Sequence, residues 1–353
     1  MRNQVARAMY RTGMLDGLLR VRAALHLPVL TVLTYHHVQD PEDGSMFDPG
    51  VADATPEQFR RQMELVARYG TPVTLSEVIG FVRDGHPPPP NPVLVTFDDG
   101  YRSCLDVAVP ILRRVGVPAT FFIATNFVER RRLFWWERIS VLLARARRGH
   151  VDVLSLNAPR ITVEVSHPEA MTVLTRLIKD VPGIQIDELL MQLSTAAGAP
   201  WSEQEERAMA DELILTWDGV RALAAAGMDV GSHTRSHRVL QTVPTEELDA
   251  ELAGSRADLE RELGTPCRAI AYPVGHSIRN RAAIYAAVRE AGYDLGFTNA
   301  SGVNLILPTG WRLRGLDPLD LGRLATGRDF SDAMFLGQLA LPSLAYPARH
   351  SLA

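Results

Sequence analysis

VLVTFDDG, residues 93–100, is an apolar run that ends in two adjacent carboxylates. Its first five residues are β-branched or aromatic at most positions and follow the breaker-rich segment 86–92, which predicts a buried β-strand. Asp98 and Asp99 then stand at the end of that strand, and they would repel each other unless a cation or hydrogen bonds kept them ionised. A helix-capping turn is the commoner interpretation of such a pair taken alone.

A second segment, SHTRSH at residues 232–237, carries His233 and His237 four positions apart after the strand-like run 228–231. On one turn of helix this spacing lets two imidazoles meet one ion. With one carboxylate oxygen they form a three-ligand site with room for water, the open arrangement of a catalytic zinc. The second carboxylate is then free to take a proton from a water whose pKa the ion lowers toward ~7. Surface histidines are the commoner interpretation of the spacing alone, but both segments follow strand-like runs, where α/β enzymes build their sites.

Three segments, TFDDG (96–100), SHTRSH (232–237) and YPVG (272–275), resemble in this order the motifs of the polysaccharide deacetylase superfamily, carbohydrate esterase family four. The resemblance implies an α/β fold, a distorted (β/α) barrel of about seven strands, and hydrolysis of an N-acetyl group on an amino sugar. It implies Asp98 as the general base. The implied ligands of Zn²⁺, or of another divalent transition metal, are Asp99, His233 and His237.

The candidate for the general acid occupies an unusual position in the sequence. Members of this superfamily usually carry it near the C-terminus in a Leu-x-His context, and no such motif follows residue 275. Instead VLTYHHV, residues 32–38, precedes the acidic pair and resembles the circularly permuted branch, which includes bacterial poly-N-acetylglucosamine deacetylases. His36 is the candidate acid, because an imidazole with a pKa near ~6.5 can protonate a leaving amine when a neighbour keeps it charged. A structural role for His36 is the alternative, and His37 is expected to be a hydrogen-bonding neighbour.

The YPVG segment departs from the pattern of many relatives, which carry an arginine two residues before the proline and an aromatic residue after it. Here Ala271 and Val274 occupy those positions. The backbone N–H of Val274 can still donate to an oxyanion, since a main-chain donor does not depend on the side chain. Tyr272 and Pro273 are candidate substrate contacts. The arginines considered as a replacement partner for the base are Arg268, Arg312 and Arg314.

Composition limits the function classes. The chain is 46% hydrophobic, which favours one large barrel, residues 29–325, with a mainly helical insertion at about 129–215 and a tail at 326–353. A formal charge of −4 does not predict a nucleic-acid partner. Two cysteines form no disulfide framework.

The first 28 residues contain five arginines and one aspartate with interleaved apolar residues, which predicts a basic amphipathic helix. Two interpretations are open: a helix packed across the barrel bottom, or an anchor on an anionic membrane surface. We find no secretory signal pattern and no run long enough to span a bilayer, and therefore expect a cytoplasmic location, peripheral to the inner face of the membrane in the second interpretation.

The insertion begins with an arginine-rich stretch that contains Trp135 and Trp136. These tryptophans either stack on sugar rings or pin the insertion to the barrel, and the arginines are either solvated or meet a phosphate of the substrate. The resemblance implies, as the leading hypothesis, a zinc-dependent deacetylase of an N-acetylglucosamine-type glycan in exopolysaccharide biosynthesis. The alternatives are a deacylase or deformylase of a lipid-linked or nucleotide-linked amino sugar, and an inactive metal-holding carbohydrate-binding protein.

Overall fold

The computed structural model describes residues 2–40, 45–146, 150–155, 158–164, 169–300, 302, 304–306 and 316–341. Its α-helices are α1 (Arg2–Arg11), α2 (Met14–Ala24), α3 (Pro56–Tyr69), α4 (Leu75–Arg83), α5 (Val109–Val115), α6 (Thr125–Arg130), α7 (Trp135–Arg145), α8 (Ala170–Asp180), α9 (Ile186–Ala196), α10 (Glu203–Leu213), α11 (Trp217–Ala225), α12 (Leu248–Leu263), α13 (Ala282–Glu290) and α14 (Asp332–Ala340). Its strands are β1 (Val29–Tyr35), β2 (His37–Val38), β3 (Ala52–Ala54), β4 (Thr71–Pro72), β5 (Pro92–Phe97), β6 (Ala119–Ile123), β7 (His150–Ser155), β8 (Ala158–Glu164), β9 (Asp229–Ser232), β10 (Ala269–Ala271), β11 (Leu295–Thr298), β12 (Asn304–Leu305), β13 (Leu321–Gly322) and β14 (Leu324–Ala325).

Parallel strands form a barrel in the order β1, β5, β6, β9, β10, β11 and then β13 with β14. β13 pairs with β11 and β14 pairs with β1, so the last strand is divided between the two neighbours that it joins. Every residue of β5 is buried, as its apolar run predicts for a strand covered on both faces. The predicted distorted barrel of about seven strands is confirmed, and the distortion lies at Arg323, between the two halves of the last strand.

Helix α3 shows how local sequence sets the outer layer. Thr55 accepts a hydrogen bond from the backbone N–H of Gln58, the Gln58 side chain accepts one from the backbone N–H of Thr55, and Pro56 takes the first helical position. This reciprocal cap satisfies backbone donors that the first turn leaves free. α3 then buries Phe59, Met63 and Val66 among its apolar residues.

The inserted segment returns onto the loop that follows the acidic pair. The backbone N–H of Leu215 donates to the carbonyl of Gly100, and that of Arg102 donates to the carbonyl of Leu213. Glu206 of α10 is buried and accepts hydrogen bonds from the Leu133 backbone and the Trp201 indole. The insertion is therefore held against the same end of the barrel as the acidic pair.

Within the predicted C-terminal tail, helix α14 is buried and packs on α1 and α2. Arg22 of α2 is buried and donates to the carbonyl of Leu339, and the Gln338 side chain donates to the carbonyl of Ala325. Phe335 is fully buried, so α14 contributes to the core. Residues 342–353 of the expected tail lie outside the described residues. None of the helices described is long and apolar enough to cross a membrane.

Candidate active site

The sequence-predicted acidic, histidine and backbone-donor residues meet at the carboxyl ends of the barrel strands. His36 follows β1, the acidic pair follows β5, His233 follows β9 and Val274 follows β10. They line one cavity of about 350 Å³. The lining residues are His36, Asp48, Val51, Asp98, Asp99, Trp135, Trp136, Met171, Thr172, Thr175, Lys179, His233, His237, Val274 and Asn299. Residues from separate segments of the sequence therefore surround one cavity.

Asp99, His233 and His237 form a compact buried cluster. Oδ1 of Asp99 lies 3.4 Å from Nε2 of His233 and 3.2 Å from Nε2 of His237. Nδ1 of His233 lies 2.8 Å from the carbonyl oxygen of Ala271, which requires the ring N–H there and leaves Nε2 as the free lone pair. Burial lowers the pKa of His237, against the charge of Asp99, and so favours the neutral form that binds metals.

These three residues fit a metal ion. Oδ1 of Asp99 is buried and has no hydrogen-bond partner among the described residues, although an unsatisfied buried charge is costly. Burial would raise the pKa of Asp99, but the two histidines hold it far below its ordinary value. One carboxylate and two imidazoles within 4.8 Å of one another match a zinc site that keeps a position open.

The expected helical turn between the two histidines is wrong. His233 and His237 lie on an irregular loop, in which Thr234 and His237 have positive φ values of 63° and 53°. Glu251 of α12 accepts hydrogen bonds from the backbone N–H groups of Arg235 and Ser236. The loop thus satisfies its backbone donors with a side chain from outside, and it brings the two imidazoles together without a helix.

Asp98 is held by an arginine that the sequence did not single out. Arg323 is fully buried and donates to both carboxylate oxygens of Asp98, each at 2.7 Å. Its Nε donates to Oδ1 of Asn299 at 3.1 Å. Burial would raise the pKa of Asp98, but Arg323 and then His233 lower it below its ordinary value. Asp98 is therefore an oriented, ionised carboxylate beside the cluster of Asp99, His233 and His237.

The arginines proposed from the sequence do not fill this role in the described residues. Arg268 pairs with Asp294 at 2.6 Å on the exposed side of the barrel. Arg312 and Arg314 lie outside the described residues.

His36 also has a carboxylate partner that the sequence did not reveal. Oδ2 of Asp53 lies 3.0 Å from Nδ1 of His36 and accepts the His36 backbone N–H at 2.5 Å. Asp53 comes from β3, which pairs with β2 directly after His36. Burial disfavours the charged imidazole, but Asp53, Asp99 and Asp98 raise the pKa of His36 from 6.5 to about 9. His36 is thus oriented and kept protonated at neutral pH.

His37 points away from these groups. Its Nδ1 lies 2.5 Å from the hydroxyl of Ser103, and its ring lies 4.7 Å from that of Tyr101. Burial lowers its pKa to about 4, so His37 is neutral at physiological pH. The expectation of a hydrogen-bonding neighbour agrees with these contacts.

The YPVG segment divides between core and cavity. Tyr272 is 1% exposed and donates from its hydroxyl to the carbonyl of Leu319, so the expected substrate contact by this side chain is wrong. Pro273 is also buried and is not part of the cavity lining. Val274 lines the cavity with φ of 63°, which is strained for a β-branched residue. Such strain persists only where the surroundings impose it, and it is typical of functional sites.

Both tryptophans of the insertion are buried walls of the cavity. The Trp136 ring lies 4.6 Å from that of His237, and its indole N–H donates to the hydroxyl of Tyr101. That hydroxyl donates to Glu137, whose pKa burial raises to about 7. Trp135 has a buried indole N–H without a partner in the described part of the chain. Trp136 therefore supports His237, whereas Trp135 retains a free donor.

Comparisons with known proteins agree with this fold. A sequence model described as polysaccharide deacetylase matches residues 85–296. The deacetylase PplD of Streptococcus pyogenes, solved in complex with acetate, superposes with a TM-score of 0.58 at 18% identity, covering 90% of this chain and 100% of that one. IcaB from Ammonifex degensii gives 0.53 at 19% identity, covering 90% and 98%. A de-N-acetylase from Aggregatibacter actinomycetemcomitans gives 0.52 at 15% identity, covering 86% and 97%. No curated protein sequence matches.

Proposed function

The chain belongs to the polysaccharide deacetylase family, because the family model matches more than half of it, and we propose that it uses zinc to remove acetate from an N-acetylglucosamine-type glycan. It is a hydrolase of amide C–N bonds, and its fold agrees with the circularly permuted, IcaB-like branch. The zinc, the sugar and the role of each residue belong to the proposal. The cytoplasmic location and the segment boundaries remain predictions from the sequence.

One observation carries the proposal: two buried carboxylates at the end of β5 have different partners. Asp99 faces two imidazoles and has an unsatisfied oxygen, whereas Asp98 receives two hydrogen bonds from Arg323. Environments that separate two adjacent acids into different roles are typical of hydrolytic sites. This arrangement supports Asp99 as a ligand and Asp98 as a base.

Asp99, His233 and His237 would hold a divalent cation, which would polarise the acetyl carbonyl as a Lewis acid and lower the pKa of water. Asp98 accepts the proton of the attacking water as the new C–O bond forms. The guanidinium of Arg323 keeps Asp98 ionised and fixes its two oxygens. The chain thus provides an oriented proton acceptor beside the reacting carbonyl.

The later steps depend on two further residues of the cavity. The backbone N–H of Val274 donates to the oxygen that becomes negative at the tetrahedral carbon. His36 then gives its proton to the sugar nitrogen as the C–N bond breaks. The second proton of the attacking water passes from the carboxyl product to the amine, so that acetate and the protonated amino sugar leave. Asp53 stabilises the charged imidazole before this transfer. The proton gained by Asp98 restores His36 through solvent, which balances the cycle.

A second substrate class is favoured by Lys179 of α8, which lines the same cavity. No ion pair of Lys179 is found within the described residues, so its ammonium is available to an anionic group. A lipid-linked or nucleotide-linked amino sugar carries such a phosphate, and removal of an acyl or formyl group would use the same residues.

The proposal is tested by zinc content and acetate release measured on the same preparations. The wild type is compared with Asp98→Asn, His36→Ala and His276→Ala, the last being a loop histidine outside the cavity lining. Asp98→Asn should retain zinc and lose at least ~10²-fold in turnover of N-acetylglucosamine oligomers. His276→Ala should resemble the wild type. Near-normal turnover by Asp98→Asn would remove the assigned base, and activity only on a nucleotide-linked sugar would select the second substrate class.

A further inference from the structure

Exposed apolar side chains are concentrated in the N-terminal segment, residues 5–27. Ten large apolar residues of the described chain are 38–64% exposed. Seven of them lie between residues 5 and 27: Val5, Tyr10, Met14, Leu18, Val21, Leu25 and Leu27. An eighth, Leu305, is in register with Val29 at the start of β1. Concentration of this kind is unusual for the surface of a monomer and marks a surface that is covered in use.

Helix α2 and its C-terminal cap residue, Leu25, present four of these residues as a continuous stripe. Met14, Leu18, Val21 and Leu25 follow the spacing i, i+4, i+7 and i+11, so they project from one face. The buried residues Leu15, Leu19 and Arg22 lie one position further along the chain, about 100° around the helix axis. α2 therefore packs against the rest of the protein through these buried residues, and the exposed stripe is a second, separate apolar face.

The charge around this stripe differs from that of the rest of the protein. Residues 1–28 contain five arginines and one aspartate, a formal charge of +4, whereas the whole chain carries −4, so the remainder carries −8. Arg7 and Arg11 are exposed and form no ion pair within the described residues. The one acid, Asp16, is paired with Arg20 at 2.8 Å. The unpaired arginines therefore lie on α1, the helix that directly precedes the stripe in the chain.

We propose that this surface binds the interface of a bilayer that contains anionic phospholipids, with the α2 stripe in the boundary between headgroups and acyl chains. Apolar residues flanked by arginines fit such a boundary, which takes up the side chains and attracts the cations. A second copy of the chain fits less well, because pairing the stripes would bring two positive segments together without added counter-charge.

The position of the stripe sets the orientation of the enzyme. α2 leads directly into the amino end of β1, whereas the catalytic residues lie at the carboxyl ends of the strands. On a bilayer, the amino end of the barrel therefore faces the lipid, and the catalytic cavity opens on the opposite side.

The test is sedimentation of the full chain with extruded phosphatidylcholine vesicles, with and without 30% phosphatidylglycerol. Two double variants, Leu18→Glu/Val21→Glu and Arg7→Gln/Arg11→Gln, are compared with the control Met191→Glu, which places one glutamate on an exposed apolar position of α9. An unchanged thermal midpoint and circular dichroism spectrum establish that each variant is folded.

We expect the wild type to partition onto the anionic vesicles and to dissociate as salt is raised. Each arginine removed should weaken partitioning about fivefold, the Leu18→Glu/Val21→Glu change at least ~10-fold, and Met191→Glu less than ~2-fold. Failure of the wild type to bind, or full binding by the glutamate double variant, would overturn the proposal. A dimer in solution that the same double variant dissociates would instead assign the stripe to a second copy.

Discussion

Replacement of Arg323 by methionine tests the link between the closed barrel and the base. The change removes the guanidinium but keeps a long side chain, and it leaves Asp98 buried without the two 2.7 Å hydrogen bonds. Breaking a buried ion pair from one side costs ~3–5 kcal/mol of unfolding free energy, because the remaining charge is uncompensated. At the ~2 °C per kcal/mol of a large domain, the thermal midpoint should fall by ~6–10 °C.

A double-mutant cycle separates this pair from general damage to the core. Unfolding is measured in chelator for the wild type, Arg323→Met, Asp98→Asn and the double variant, so that metal binding does not contribute. If the two residues are coupled, Arg323→Met should cost at least ~1.5 kcal/mol less in the Asp98→Asn background. Equal costs in both backgrounds, within ~0.5 kcal/mol, would refute the reasoning, and Arg323 would then be a packing residue.

Three further predictions concern the acid, the metal ligands and the loop. Asp53→Asn removes a charge that raises the pKa of His36. Because the general acid must be protonated, kcat/KM falls as pH rises through that pKa, and in the wild type this fall is expected between pH 6.5 and about 9. In Asp53→Asn the fall in the pH profile of kcat/KM should move down by ~1–2 pH units. Asp99→Ala should abolish stoichiometric zinc by elemental analysis, whereas Asp98→Asn retains it, and an Asp99→Ala protein with full zinc would contradict the ligand set. Glu251→Gln weakens the acceptor for two backbone donors of the histidine loop and should lower zinc affinity ~10-fold in a competition titration, while unchanged affinity would show that the loop is rigid without it.

The predictable part of the site follows from short segments with strong local signals. Residues 93–97 are apolar at nearly every position, so a buried strand and its terminal carboxylates could be placed without knowledge of any other strand. The fold could be predicted because the motif order resembled a known family. In contrast, the conformation between His233 and His237 depends on Glu251, which lies on another element, and the spacing alone favoured a helical turn.

Arg323 shows why the partner of the base could not be predicted. It stands between two strands of only two residues each, which have no recognisable strand periodicity. An arginine can be buried where an acidic side chain pairs with it, and the residue that pairs with Arg323 is Asp98, 225 positions earlier in the chain. The last strand passes from β11 to β1 at this residue, so the ion pair forms only when the barrel closes. Ionisation and orientation of the proposed base therefore depend on completion of the fold, and an unfolded or open barrel would contain the acidic pair without its catalytic geometry.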